Sequence, residues 1–394
     1  MICGVDGFEL EPLYPIFGGN NGFTVSLLIM SFMYAKYMGF TFRGGIKEKL
    51  KPLMWLTVGV VLSYIPAYLY YGQPVYQSFL TYRRFFCYLA FPLLLSIRPS
   101  VDEIRRALYA FCVLYAVFAF TVTFLKPDWV ILQEDVDLVR EGDFIHVILG
   151  ERLVLLALIF ALDTLRVSRN RWSLIAVVLV FALLFIIQNR TALMSAFFII
   201  ILAVFFNRSA KVRLVASVLM LSFFVITAGL AMNYIDALIE ETMEQLDDPD
   251  YNRVKAFMYF FSWDRPKLTY VLGNGFISGN VSPLMSRLQE EGIFHSDMGL
   301  IGMWNQFGII PVITIYYIAF RGLGRNHSFI VRAFSLFVIL SSLTLGYYML
   351  LQTIFVLSMY LYLYSTDDHY VEAMKQQRQE MIAKLMRKYR SLAR

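Results

Sequence analysis

An imidazole and a carboxylate stand two residues apart in the segment "EEGIFHSDMGL", as His295 and Asp297. A histidine is the side chain best suited to accept a proton near neutral pH, and a neighbouring carboxylate can orient the ring or carry the proton itself. The pair directly precedes an apolar run that begins at Met298. A lone histidine near a membrane interface is more often structural than catalytic. The catalytic interpretation of the pair therefore requires other charged residues that could serve the same reaction.

Other charged residues lie within or next to long apolar stretches, where charge is costly. They are Arg83 and Arg84 in "TYRRFFCYLAF", Glu151 and Arg152 in "ILGERLVLLALIF", and Arg190 in "IIQNRTALMSAFF". Each residue alone has a structural explanation. Arg83 and Arg84 could reach lipid phosphates, Glu151 and Arg152 could each pair with another span, and Arg190 could simply occupy a turn. Together they favour a phosphate-bearing ligand, because arginine offers a planar fork of donors that matches phosphate oxygens.

The composition indicates which elements must position these residues. Of the 394 residues, 58% are hydrophobic and 16% are charged, whereas soluble domains are about 25% charged. Several apolar stretches reach the ~18 residues that a helix needs to cross a bilayer. The sequence therefore predicts an all-α polytopic membrane protein, a single integral membrane domain over residues 1–394. We expect eleven spans, near 22–42, 52–72, 78–97, 107–126, 147–165, 173–188, 191–206, 214–232, 298–320, 329–346 and 348–364.

The lysines and arginines predict the orientation of the chain. Of 35 such residues, 23 fall in six segments on one side of the predicted spans. Because these residues concentrate on the cytoplasmic side, we expect the N-terminus outside and the C-terminus inside. His295 and Arg190 then lie at the outer face, and the net charge of +6 reflects this bias rather than nucleic-acid binding. The six segments are 43–51, 98–106, 166–172, 207–213, 321–332 and the tail from 365.

Three segments outside the spans have patterns of their own. Residues 127–146 and 233–297 form the two long outer loops, and the second carries apolar residues at helical spacing in "NYIDALIEETMEQL". This spacing predicts helices on the outer surface. Residues 365–394 read as a basic amphipathic helix, which favours contact with anionic lipid of the inner leaflet.

Short motifs resemble those of the O-antigen polymerase and O-antigen ligase superfamily. "YVLGNGF", followed by "HSDMGLIGMWNQFGIIPVI", is similar to its Gly-x-Gly segment and His-Ser step in a large periplasmic loop. "NRTALMSAFFIIIL" resembles its Ser/Asn-Arg-x-x-x-Leu turn, and "VREGDFIHVILGERL" its Arg-x-x-Gly-Phe segment. The similarity covers roughly residues 127–320. Two features depart from the pattern: Pro311 replaces a glycine, and one of the usual twelve spans is missing.

The resemblance implies a fold, an activity and roles for residues. The expected fold is GT-C-like, and the expected enzyme is a metal-independent glycosyltransferase of the bacterial inner membrane whose active site faces the periplasm. It would move a glycan from undecaprenyl diphosphate to an acceptor sugar, with no cofactor. His295 would be the base or position the acceptor hydroxyl, with Asp297 beside it. The substrate-binding residues would be Arg190, Arg152, Arg84, Arg83, Arg140 and Glu151.

Several alternatives stay open at this point. A polymerase adds the glycan to another lipid-linked repeat, a ligase moves the polymer to lipid A-core, and length and aromatic content favour the polymerase. A flippase or transporter would place its polar groups near the bilayer midplane. Asp135 and Asp137 could hold a metal ion beside a phosphate. Gly273 and Gly275 lack the strand-to-helix context of a dinucleotide site, so a turn is favoured there. The expected partners are the lipid-linked oligosaccharide, membrane lipid and a candidate chain-length regulator, with no nucleic acid.

Overall fold

The structure is a computed structural model. It describes residues 46–121, 138–141, 144–147, 151–168, 171–187, 190–206, 266–278, 298–324, 326–342 and 353–367, with residues 28, 32–33, 214, 217–218, 221–222 and 255. The predicted spans near 22–42 and 214–232, the tail beyond residue 367, and most of the two outer loops lie outside these residues.

The described chain is helical apart from one short hairpin. A 3₁₀ helix spans Arg83–Leu89, and the two strands are β1 (Leu138–Glu141) and β2 (Phe144–Val147). The helices are α1 (Ile46–Lys49), α2 (Lys51–Tyr71), α3 (Val75–Thr81), α4 (Ala90–Ile97), α5 (Val101–Phe120), α6 (Glu151–Ser168), α7 (Arg171–Ile187), α8 (Arg190–Phe206), α9 (Lys267–Leu272), α10 (Gly299–Phe307), α11 (Ile309–Gly322), α12 (Phe329–Ser341) and α13 (residues 353–367).

Helix α6 is the centre of the fold. Every residue from Arg152 to Asp163 is buried, because α5, α7, α8 and α12 all pack against this helix. The run "LVLLALIFAL" is apolar on every face, as expected of a helix with no exposed side.

A second group of helices forms around α2. Helices α9, α10 and α11 pack against it, and α11 also contacts α12, which joins this group to α6. Helices α2 and α11 cross closely at Gly59, where a Cβ atom would collide with the ring of Pro311. Pro311 therefore packs against a glycine of the neighbouring helix.

Two of the predicted spans are interrupted. The predicted span 78–97 consists of the end of α3, the 3₁₀ helix and α4. The predicted span 298–320 is divided into α10 and α11 by Gly308, whose φ of 74° and ψ of −170° are not helical. The predicted span 147–165 begins with Val147 of β2, and its helix, α6, starts at Glu151. The described parts of the predicted spans 52–72, 107–126, 173–188, 191–206, 329–346 and 348–364 are essentially continuous helices.

The β-hairpin lies in the predicted first long outer loop, residues 127–146, and ends at Val147. Strands β1 and β2 are antiparallel, with Arg140 opposite Ile145 in the register, and β2 contacts α7. The prediction of an all-α fold missed this element, although each of its strands has only four residues.

The capping of α5 shows how one helix end is fixed locally. The amide and hydroxyl of Ser100 donate to Glu103, 2.7 and 2.8 Å away, and the Glu103 amide donates back to the Ser100 hydroxyl. This is a capping box. The two bonds from Ser100 lower the pKa of the Glu103 carboxyl.

The helix directions place the predicted outer residues at one end of the molecule. Helices α6, α7 and α8 follow one another through two-residue connections, so neighbours run antiparallel and the starts of α6 and α8 share an end. At the opposite end, Asp367 accepts a hydrogen bond from the Ser328 amide and lies 2.9 Å from the His327 ring. Tyr362 donates to the Pro99 carbonyl at this same opposite end.

One described helix, α2, is long and apolar enough to cross a membrane. Shorter apolar helices span Arg171–Leu184, Ala192–Ala203, Ile309–Gly322 and Phe329–Ser341. Helix α2 also exposes a stripe of large apolar side chains, which a soluble monomer rarely does. The stripe includes Met54, Trp55, Val58, Val61, Ile65, Tyr68 and Leu69.

Candidate functional site

The Gly-Asn-Gly segment is bound by its backbone to the end of α10. Gly273 ends α9, and the amides of Asn274 and Gly275 donate to the carbonyls of Asn305 and Gln306, each at 2.7 Å. These carbonyls belong to the last turn of α10, where carbonyl groups have no hydrogen-bond donor within their own helix. The segment therefore completes the C-terminus of the helix that begins directly after His295 and Asp297 in the sequence.

Glycine is required on both sides of this junction. Gly273 has a φ of 79° and Gly308 a φ of 74°, in the left-handed region that favours glycine. A Cβ atom on Gly273 would overlap the Gln306 backbone, and one on Gly308 would overlap the backbone of Val271 and Leu272. The two glycines thus permit close contact of two backbones, which is more than the plain turn that the sequence favoured.

Amide side chains gather at the same junction. The Asn274 side chain donates to Asn305 Oδ1 at 3.3 Å, and both residues are buried. The Asn274 Oδ1 and Gln306 Oε1 atoms are buried and accept no hydrogen bond from any described residue. Buried acceptors of this kind can take hydrogen bonds from the hydroxyl groups of a ligand.

Gln73 fastens the segment to the end of α2. Its amide nitrogen donates to the Ser78 hydroxyl at 2.8 Å and to the Phe276 carbonyl at 2.9 Å, while its oxygen accepts from the Ser278 amide at 2.8 Å. Gln73 is fully buried. Sequence reasoning missed this residue, because an amide between Gly72 and Pro74 gives no sign of its distant partners, Phe276 and Ser278.

Tyr82 links the arginine-bearing 3₁₀ helix to this junction. Its ring centroid lies 4.5 Å from that of Phe307 and 6.2 Å from that of Phe276. Arg83 and Arg84 follow directly, and Arg83 is half-buried while Arg84 is exposed. The structure therefore brings the Arg83–Arg84 pair, the Gly-Asn-Gly segment and α10 together, although they are far apart in sequence.

The other predicted substrate-binding residues occupy the starts of two helices and one strand. Glu151 and Arg190 begin α6 and α8, and Arg140 lies on β1. Arg152 is buried, with 6% of its surface exposed. The antiparallel order of α6, α7 and α8 puts Glu151, Arg152 and Arg190 at a common end of these helices.

His295 and Asp297 lie outside the described residues. The chain resumes at Met298, which is buried, and the Leu300 amide donates to the Ser342 carbonyl at 2.7 Å. Asp135 and Asp137, the alternative metal ligands, also lie outside. Within the described ranges, no three His, Cys, Asp or Glu side chains are grouped as metal ligands.

No protein-family model matches this chain, and a search of curated proteins finds no similar sequence. The resemblance to the O-antigen polymerase and ligase superfamily therefore rests on the motifs themselves.

Proposed function

We propose that this chain is a polysaccharide polymerase of the bacterial inner membrane. It transfers a glycan from undecaprenyl diphosphate to a lipid-linked acceptor repeat on the periplasmic face, without a metal ion. The observation that carries the proposal is a junction at the C-terminal end of α10, the helix whose N-terminus follows His295 and Asp297 in the sequence. There the Gly-Asn-Gly segment and Tyr82, the residue before Arg83 and Arg84, contact α10.

The proposed reaction exchanges one C–O bond for another. The bond between the anomeric carbon and the diphosphate oxygen breaks, and the acceptor hydroxyl forms a new bond to that carbon. His295 takes the hydroxyl proton, with Asp297 as its orienting carboxylate. The diphosphate leaves on its lipid, and the arginines stabilise its growing negative charge.

A transporter is less well supported by the described helices. The central helix α6 is apolar from Leu153 to Leu162, so this helix offers no polar groups at mid-height. Its buried charged residues lie towards its two ends, Arg152 at one and Asp163 at the other. The apolar middle of α6 therefore favours chemistry at a membrane surface over a polar path through the centre.

The test is the surface glycan of the native host on a gel. The gene is deleted and complemented with wild type, His295→Ala or His369→Ala, a matched histidine in the predicted cytoplasmic tail. We expect a single repeat unit in the deletion and in His295→Ala, and a full ladder with His369→Ala.

Other outcomes contradict specific parts of the proposal. Polymer that stays on its lipid carrier would indicate a ligase. A normal ladder with His295→Ala would exclude His295 as the base, and a normal ladder in the deletion would exclude glycan assembly altogether.

A further inference from the structure

An apolar cavity of about 240 Å³ lies between α2 and the chain from α3 to the 3₁₀ helix. Helix α2 contributes Leu53, Thr57, Val61 and Tyr64, and the facing chain contributes mainly aromatic rings, among them Phe79 and Phe86. The Thr57 hydroxyl donates to the Leu53 carbonyl of its own helix. The lining therefore suits a hydrocarbon and offers little to a sugar.

The cavity is elongated along α2. Its lining runs from Leu53 to Tyr64, and these eleven residue steps correspond to about 17 Å of helix. This is roughly half of the ~30 Å hydrocarbon thickness of a bilayer. A chain in the cavity would lie along the helix, and so along the direction in which α2 would cross a membrane.

Positive charge lies beside the cavity. Tyr82 and Phe85 both line it, and Arg83 and Arg84 lie between them in the chain. Tyr82 also contacts Phe307 at the Gly-Asn-Gly junction, so the stretch that carries the arginines adjoins both the cavity and that junction. A chain with a phosphate-bearing head would place its head there.

We propose that this cavity binds the polyprenyl chain of the diphosphate-linked carrier, with Arg83 and Arg84 beside its diphosphate. The inference rests on the proposed function, because that reaction supplies the lipid. The volume is below the ~300 Å³ at which pockets for drug-sized ligands begin. Such a space holds part of one slim chain, and the rest of a polyprenyl tail would lie in the surrounding lipid. Two adjacent arginines favour a diphosphate head over the single phosphate of a phospholipid.

The first experiment uses the purified wild-type chain in detergent and measures bound lipid by native mass spectrometry. Undecaprenyl diphosphate is the probe, and undecaprenol and phosphatidylglycerol are competitors. We expect undecaprenyl diphosphate to displace both. Equal competition by phosphatidylglycerol would overturn the assignment of the lipid, and equal competition by undecaprenol would overturn the role of the arginines.

The second experiment fills the cavity. Val61 lines it and is 53% exposed, whereas Val58, one turn away on α2, is 40% exposed and does not line it. Val61→Trp should weaken undecaprenyl diphosphate binding about tenfold or more, as a misfit in an apolar pocket does, and Val58→Trp should not. Arg84→Gln should weaken binding of the diphosphate and leave undecaprenol unchanged.

The outcomes separate this inference from the polymerase. If Val61→Trp binds as well as Val58→Trp while the gene deletion stops polymer growth, the cavity assignment is wrong and the polymerase stands. If Val61→Trp loses the lipid while the deletion leaves a normal ladder, the lipid site stands and the polymerase is wrong. Thermal unfolding of both variants checks their fold, and the wild-type competition needs no variant.

Discussion

At the scale of single residues, Gly308 shows how a backbone conformation creates the junction. Its positive φ ends α10, and its missing side chain lets α9 approach. The positive φ and the missing side chain are both needed, because a residue with a positive φ in open space would not bring two backbones into contact.

We expect Gly308→Ala to destabilise the protein more than Gly72→Ala. Gly72 also has a positive φ, of 65°, but nothing lies within 4 Å of its would-be Cβ atom. Gly72→Ala should cost about 1–2 kcal/mol, the cost of a left-handed alanine. Gly308→Ala should cost ~3 kcal/mol or more, since the backbone of Leu272 must move as well. Thermal unfolding in detergent measures both, and equal losses would contradict the close packing.

Residue types pointed to only some members of this candidate site. Gly273 and Gly275 were noted through the motif resemblance, and the arginines because charge is unusual next to apolar runs. It could not pair Tyr82 with Phe307, since ring contacts between distant segments leave no periodic signal. Gln73 was missed for the same reason: its partners, Phe276 and Ser278, lie more than 200 residues away.

At the scale of elements, Gln73 holds the chain after the Gly-Asn-Gly segment against α2. Replacing it with Leu would leave the Phe276 carbonyl and the Ser278 amide without this partner. We expect Gln73→Leu to cost about 1–3 kcal/mol, the penalty for unsatisfied buried groups. Hydrogen exchange at residues 273–278 should accelerate as well.

The matched control is Gln77→Leu, on α3. The Gln77 side chain makes no hydrogen bond within the part of the chain that the structure describes. This variant should unfold like the wild type and keep slow exchange at residues 273–278. Equal effects of the two substitutions would show that Gln73 does not position the segment.

The helices themselves were predicted with uneven success. The predicted span 52–72 matches α2, Lys51–Tyr71, because the run is apolar throughout. The sequence did not predict the interruption of the span 298–320 at Gly308, since a glycine within an apolar run is compatible with a continuous helix. The hairpin was missed because four-residue strands give too short an alternation to detect.

At the scale of the whole molecule, the two ends of the helices differ in chemistry. Arg152 and Arg190 lie where α6 and α8 begin, and the His327–Asp367 pair lies towards the other end. The predicted orientation puts the first end on the periplasmic side.

Cysteine labelling tests that orientation. Lys267 and Arg106 are exposed residues near opposite ends, and Cys87 and Cys112 are buried. In a Cys3→Ser background, Lys267→Cys should react with a membrane-impermeant maleimide in intact spheroplasts. Arg106→Cys should react only after the membrane is opened. The reverse pattern would invert the topology and remove the periplasmic site.

The packing partners of α6 are synthesised at different times, so the helix becomes fully buried only late in synthesis. Three of its packing partners are neighbours in sequence, but α12 emerges from the ribosome more than 150 residues later. Until then, in the predicted membrane topology, one face of α6 meets lipid, which is as apolar as its leucines. The buried Asp163 carboxylate has its counterion on the same helix, because Arg166 lies 2.9 Å away. In that topology, Asp163 is therefore already neutralised before α12 is synthesised.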